Sequence, residues 1–304
     1  CPDQCDVTLD RLKAVGNVQV ESPRFRGIVR EAKLWFRQAG VAQLNTGPQG
    51  VVDAEAAKAQ PSLTSSQGTS SMGKLDLVAD LLQAQVVLDD PAQIERLTLK
   101  GGIRFQQRSP LGEQVLLMTG DLFELQDGNT GRAWGALLGQ PASLALRGMQ
   151  LKGSEFQLRQ GENTLEIVGP GAMTLPPRSD VRGPLPPLFV EWEGGMRFDG
   201  RVAHFQQRVS TRGASPLQNG DVLQVLGSGE SLKAALTQRL DFANPGLHKT
   251  TDVGDLVFDA NVFLDSHLFD PSGAKKLFQQ MQARNLTINR ITGQGDGDTY
   301  LTDF

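Results

Sequence analysis

The sequence predicts an all-β chain, and three observations carry that prediction. Polar and apolar residues alternate with period two in stretch after stretch, as in LKGSEFQLRQGENTLEIVGPGAM over residues 151–173. Glycine and proline, at 34 and 16 of 304 residues, are frequent enough to punctuate many strands with turns. Helical spacing is confined to two short segments, residues 272–285 with Ser272 as N-cap and VVDAEAAKAQ from Val51.

In chain order, residues 1–38 read as strands that continue a preceding β module or open a first one. GNVQVESPRFRGIVREAKLWF, residues 16–36, supplies two alternating runs. Cys1 and Cys5 are the only cysteines, and with no second pair of ligands nearby they read as a small disulfide or free thiols, with a lipidated amino-terminal Cys as the alternative. The first residue is Cys and no charged-then-apolar leader follows, so the chain reads as a piece of a longer or processed protein. Residues 39–73, rich in Ser, Gln, Gly and Ala, bury little and read as a flexible insertion.

Residues 74–175 read as one β module and residues 188–304 as a second, joined by the proline-rich linker 176–187. Two internal echoes support this division. LKGGIRFQQ from Leu99 matches WEGGMRFDG from Trp192 as Gly-Gly, an aliphatic residue, Arg and Phe, and a Met-Gln strand ending in a Gly-rich turn recurs at Met149 and Met281. Each alternating run opens at a glycine pair or at Gly followed by a small, acidic or amide residue, so strands are expected to start at Gly16, Gly101, Gly120, Gly194 and Gly220. Inside the first module, the 151–173 stretch reads as a hairpin: Phe156 and Leu158 share one face of its first strand, Leu165 and Ile167 share one face of its second, and Gly161-Glu-Asn makes the turn.

A net charge of -4 and a pI near 5.5 provide no basic field, so nucleic acid is not an expected partner. No window of about 18 apolar residues offers a membrane-spanning helix. Chemical motifs are equally scarce. LGSGES and QGTSSMG each lack one glycine of a nucleophile elbow, GPGAMT and GSGESL lack what a phosphate loop needs, and His204, His248 and His267 have no second ligand at i+2 or i+4. Asp296 and Asp298 flank Gly297 as a Gly/Asp turn does, with calcium as the sharper alternative. Sugar platforms for a pair of glycosidase carboxylates are limited to Trp35, Trp134, Trp192 and Tyr300 beyond the phenylalanines. A non-enzymatic chain without a cofactor is the expectation.

An apolar stripe remains. Val18 and Val20, Ile103 and Phe105, Phe123 and Leu125, Phe156 and Leu158, Met196 and Phe198, and Leu223 and Val225 each share one face of a strand. Such a stripe fills the core of a β-sandwich, or it lines a groove that takes lipid chains. On the second reading the groove residues are Phe105, Phe123, Leu125, Phe156, Leu158, Met196 and Phe198.

The run LKAVGNVQVESPRFRGIVREAKLWF resembles the OstA-like domain of the lipopolysaccharide-transport proteins LptA and LptC and the amino-terminal part of LptD, with Gly16, Asn17 and Val18 carrying the match most closely. TLKGGIRFQQ with LLMTGDLFELQDGNTGRAWGAL is similar again, with Gly120-Asp121 where the family often has a small residue and Asp, and so is WEGGMRFDGRVAHFQQRV with QNGDVLQVL. The resemblance implies tandem open β-jelly-roll modules in the periplasm or cell envelope, the export signal lying outside this segment. It also implies an apolar interior that shields lipid or lipopolysaccharide acyl chains, and strands that stack edge to edge with partners of the same fold. Its alternative is a structural or adhesive envelope protein that recruits partners by strand addition. The chain departs from the family in its length, its Ser/Gln-rich insertion and its proline-rich linker.

Overall fold

The structure is a computed structural model that describes residues 10–21, 25–38, 75–89, 93–108, 114–128, 132–146, 149–175, 187–217, 219–241, 253–292 and 298–303. The fold is all-β, and no helix occurs among the described residues. Among the described residues fifteen strands follow one another: β1 (Arg11–Glu21), β2 (Phe25–Gln38), β3 (Leu75–Leu88), β4 (Gln93–Arg108), β5 (Gln114–Gln126), β6 (Trp134–Leu146), β7 (Met149–Arg159), β8 (Thr164–Leu175), β9 (Leu188–Trp192), β10 (Gly195–Phe198), β11 (Val202–Pro216), β12 (Val222–Leu236), β13 (Val253–Phe269), β14 (Lys275–Thr292) and β15 (Asp298–Asp303). They build one sheet in which sequence neighbours are spatial neighbours, except that the short β9 and β10 share one position between β8 and β11. Among the described strands all pairs are antiparallel but one: β2 and β3 run parallel. The ladder passes the proline-rich segment unbroken, because Leu175 at the end of β8 pairs with Leu188 at the start of β9.

The strands are long, up to 18 residues, and most break register once near their middle. The breaks fall at Val15/Val18, Val78/Leu81, Lys100/Ile103, Thr119/Leu122, Leu138/Ala142, Gln206/Val209, Ser228/Ser231 and Asp259/Val262, so they form a row across the sheet. Several turn through the left-handed region, Gly101 and Gly102 at φ +76° and +53°, Ala260 and Asn261 at +58° and +54°. Bulges of this kind bend a strand and add twist. The row acts as a crease, and the two arms on either side face each other across it. Phe105 on one arm meets Phe123 on the other edge-on at 5.0 Å between ring centres, and Trp192 meets Phe205 at 5.1 Å.

The crease corrects one expectation. Gly16, Gly101 and Gly120 lie inside β1, β4 and β5 and do not open strands, whereas Gly194 directly precedes β10 and Gly220 lies just before β12. A second correction concerns residues 272–285, which form a hairpin turn and most of β14 instead of a helix. Asp270 Oδ1 accepts hydrogen bonds from the Ser272 amide, the Ser272 hydroxyl and the Ala274 amide, and Gly273 takes φ +87°, which closes the turn before a helix starts. The β7–β8 hairpin is as read, with Phe156 opposite Ile167 and Leu158 opposite Leu165. The other helical segment, the 39–73 insertion, linker residues 176–186, both cysteines, His248 and Asp296 lie outside the described residues.

Buried side chains form two clusters. One joins Val29 and Ala32 of β2 with Leu77, Ala79, Leu82 and Ala84 of β3 and Leu99, Ile103 and Phe105 of β4. The other runs from Leu137 on β6 to Leu286 on β14, and Met118 and Phe123 of β5 pack against both. The apolar layer is thus continuous along the sheet. Each fully buried Leu, Phe or Val in it contributes on the order of 1.5–3 kcal/mol.

Candidate functional site

The ladder registers assemble the apolar stripe into rows. Beside the crease, one row passes through Leu82, Leu99, Phe123, Leu137, Phe156, Ile167, Met196, Phe205, Leu232, Phe258 and Leu286, each opposite the next. Two residues further out on the same arm, a second row passes through Leu34, Ala84, Leu97, Leu125, Gly135, Leu158, Leu165, Phe198 and Ala203. The facing arm carries Leu77, Phe105, Met118, Leu144, Leu151, Met173 and Val190 in register. Period two puts all of these on one side, and the sequence needs no more than that to line an interior.

The predicted groove residues divide by position. Phe123, Phe156 and Met196 belong to the crease row, Leu125, Leu158 and Phe198 to the outer row, and Phe105 to the facing arm. Phe105, Phe156, Met196 and Phe198 are buried, Phe123 and Leu125 are half-buried, and Leu158 is 36% exposed. Leu158 stands opposite Gly135, which offers no side chain to cover it. Exposure also rises at the two ends of the sheet, where Leu12 on β1 and Leu277 on β14 stand 39% and 47% open.

The crease is tight because glycines on one arm receive bulky side chains. A Cβ placed on Gly153 comes within 2.4 Å of Ile167 Cγ2, and one on Gly120 within 2.7 Å of Leu137 Cδ1. Only a residue without a side chain permits such an approach. Phe205, Phe258, Leu232 and Trp192 complete this closed zone, and all are buried. Sequence reasoning passed over the first three, although AHFQQ and VFDANVF carry the period-two signal that marks Phe205 and Phe258.

The interior has little polar chemistry. Trp192 Nε1 donates to the Gly169 carbonyl at 3.1 Å, and the Thr211 hydroxyl donates to the Gly227 carbonyl at 3.4 Å. Charged groups with displaced pKa values sit elsewhere. At the β10–β11 turn, the Val202 and Arg201 amides donate to Asp199 Oδ1 and hold its carboxyl below the usual range. His204 lies between Arg197 and Lys233 in the ladder, and burial, helped by Lys233, holds its imidazole below its ordinary value. Among the described residues no group of three or more His, Cys, Asp or Glu is placed to hold a metal ion.

The chain matches no family model, no curated protein and no solved structure. Its own geometry therefore carries the functional argument. An open depression of about 550 Å³ beside the crease, lined by Ala260, Asn261, Gln282, Ala283 and Arg284, lies apart from every predicted groove residue. The apolar rows remain the candidate surface. Their outer positions offer aliphatic and aromatic contact without hydrogen-bond donors, which suits hydrocarbon.

Proposed function

We propose that this chain is a non-enzymatic, diverged OstA-like protein of the bacterial periplasm or envelope that shields lipid acyl chains between its two arms, as in lipopolysaccharide transport. The observation that supports the reading best is the unbroken apolar layer whose outer row opens at Leu158 and whose ends open at Leu12 and Leu277. A core made only for stability gains from covering these side chains, since each exposed one forfeits its share of burial energy. An acyl chain laid along the outer row covers them instead.

A second reading has its own support. β15 pairs with β14 only over Thr287–Thr292, so the outer edge of β14 from Lys275 to Leu286 has no partner strand among the described residues. Leu277 and Phe278, each 47% exposed, lie on that open stretch. A partner strand added there satisfies the free amides and carbonyls and covers both side chains, which makes the chain a scaffold.

Native mass spectrometry of protein purified from its own envelope separates the two. Co-purified lipid that leaves when Leu158→Asp is introduced supports shielding. Lipid-free protein that also fails to bind an apolar dye overturns it.

A further inference from the structure

The one parallel pair among the described strands sets the β1–β2 hairpin apart. The chain leaves β2 at Gln38 and enters β3 at Leu75, so it must return along the whole length of β2 before pairing. That return spans roughly 45 Å at about 3.3 Å per residue, and residues 39–74 reach roughly 120 Å when extended. The hairpin is therefore fastened to the sheet by its contacts and by no short turn.

Those contacts are shallow. None of the described side chains of β1 is buried, and in β2 only Gly27, Val29 and Ala32 are. The ion pairs that cross from β2 to β3, Arg26 to Asp76 and Arg30 to Asp80, close at 2.8 Å each but lie in solvent, where such pairs hold weakly. β3 depends on the hairpin far less than the hairpin depends on β3. Leu77, Ala79, Leu82 and Ala84 share a core with Leu99, Ile103 and Phe105 of β4, to which β2 adds only Val29 and Ala32 as buried side chains. Parallel pairing is also slightly the weaker kind per residue.

We infer that the β1–β2 hairpin is a detachable cover on the β3 edge: a strand addition made within one chain, which lifts as a unit while β3 to β14 stay folded. The uncovered edge accepts a strand with the sequence of β2, and β2 of a second copy is the occupant that repeats every register contact and ion pair. This inference rests on the pairing geometry and not on the lipid reading.

Hydrogen exchange of the full chain tests it. The amides of β1, those of β2 and the β3 amides bonded to β2 should exchange at one common rate, at least a hundredfold faster than those of β6 to β8. Arg26→Glu with Arg30→Glu should speed that set about tenfold and leave β6 to β8 unchanged, and adding Asp76→Arg with Asp80→Arg should restore the slower rate. A synthetic peptide of residues 25–38 in excess should protect the β3 amides while β1 exchanges faster. Rates that decline strand by strand from β1 inward, or β1 and β2 amides as slow as β6 to β8, overturn the detachable unit. No effect of the peptide on β3 overturns the receptor edge.

Discussion

Phe156 and Leu158 lie two residues apart on one face of one strand, yet Phe156 is 5% exposed and Leu158 36%. Their chemistry is alike and their distance from the crease is not. Beside the crease the facing arm presents Gly153 and Gly120, which large side chains fill from the other arm. At the outer row Gly135 stands next to Leu158 on the same arm, and the same kind of residue leaves a gap. Whether a stripe residue is core or wall is thus decided by where a glycine is placed relative to the fold line.

The largest expected effect that tests this contrast comes from a carboxylate in each row. Phe156→Asp buries an unpaired charge and should unfold the sheet, with loss of the β spectrum in the far ultraviolet. Leu158→Asp should keep that spectrum and lose apolar dye. Identical behaviour of the two variants erases the distinction between crease and wall.

Truncations should show the same order at smaller size. Phe205→Ala and Phe258→Ala each remove a fully buried ring and should cost about 3–5 kcal/mol in chemical denaturation. Leu158→Ala should cost clearly less than the ~2–5 kcal/mol of a buried Leu→Ala change, since its site is already open.

Glycine replacements sharpen the comparison further. A Cβ on Gly171 meets Trp192 Cζ2 at 2.4 Å and the Lys152 carbonyl at 2.7 Å, so Gly171→Ala should destabilise by ~1–3 kcal/mol, because the carbonyl belongs to a paired strand and has nowhere to move. Gly135→Ala finds only the Glu124 carbonyl at 3.7 Å and should be neutral or stabilising by up to ~1 kcal/mol. It should also reduce dye binding by partly covering Leu158. Equal melting temperatures for the two variants contradict the close approach at the crease.

The smallest effects are electrostatic and belong to the outer faces and turns. His204 has its pKa lowered by folding, so its neutral form suits the native state, and stability present above the ordinary value near 6.5 should be lost as pH falls toward the lowered one. Thermal melts of the wild type and His204→Gln should agree at pH 7.5 and diverge below about 6.5, with the wild type falling faster. Asp199 has the opposite chemistry and the same sense: its contribution is present above the ordinary carboxylate range and is lost as pH falls through its lowered pKa. Asp199→Asn should flatten the acid limb of the stability curve.

Much of this fold was legible from alternation alone, because a side chain's face in a strand is set by parity. The stripe Phe123, Phe156 and Met196 is read off as one line once the register is known. The Gly101-Gly102 pair misled, since in the left-handed region it looks locally like the end of one strand and the start of another, as Gly194-Gly195 at the start of β10 is. Only contact between the arms, as at Phe105 and Phe123, shows that both halves belong to one bent strand. Residues 272–285 misled for a different reason. Both faces of β14 are open from Lys275 to Gln280, so no buried face imposes period two, and Leu277, Phe278 and Met281 fall at helical spacing. The division of Phe156 from Leu158 into core and wall was invisible, because it depends on Gly135 and Gly153 in neighbouring strands.

The parallel junction between β2 and β3 also dictates an order of assembly. From β3 onward each strand finds its partner in a segment just made, so pairing can zip forward with little loop-closure entropy to overcome at each step. During synthesis β1 and β2 emerge before β3, so the edge they dock on does not exist until residues 39–74 and then β3 have followed. The hairpin strands are therefore the ones that wait, and until β3 arrives Val29 and Ala32 have no core to enter.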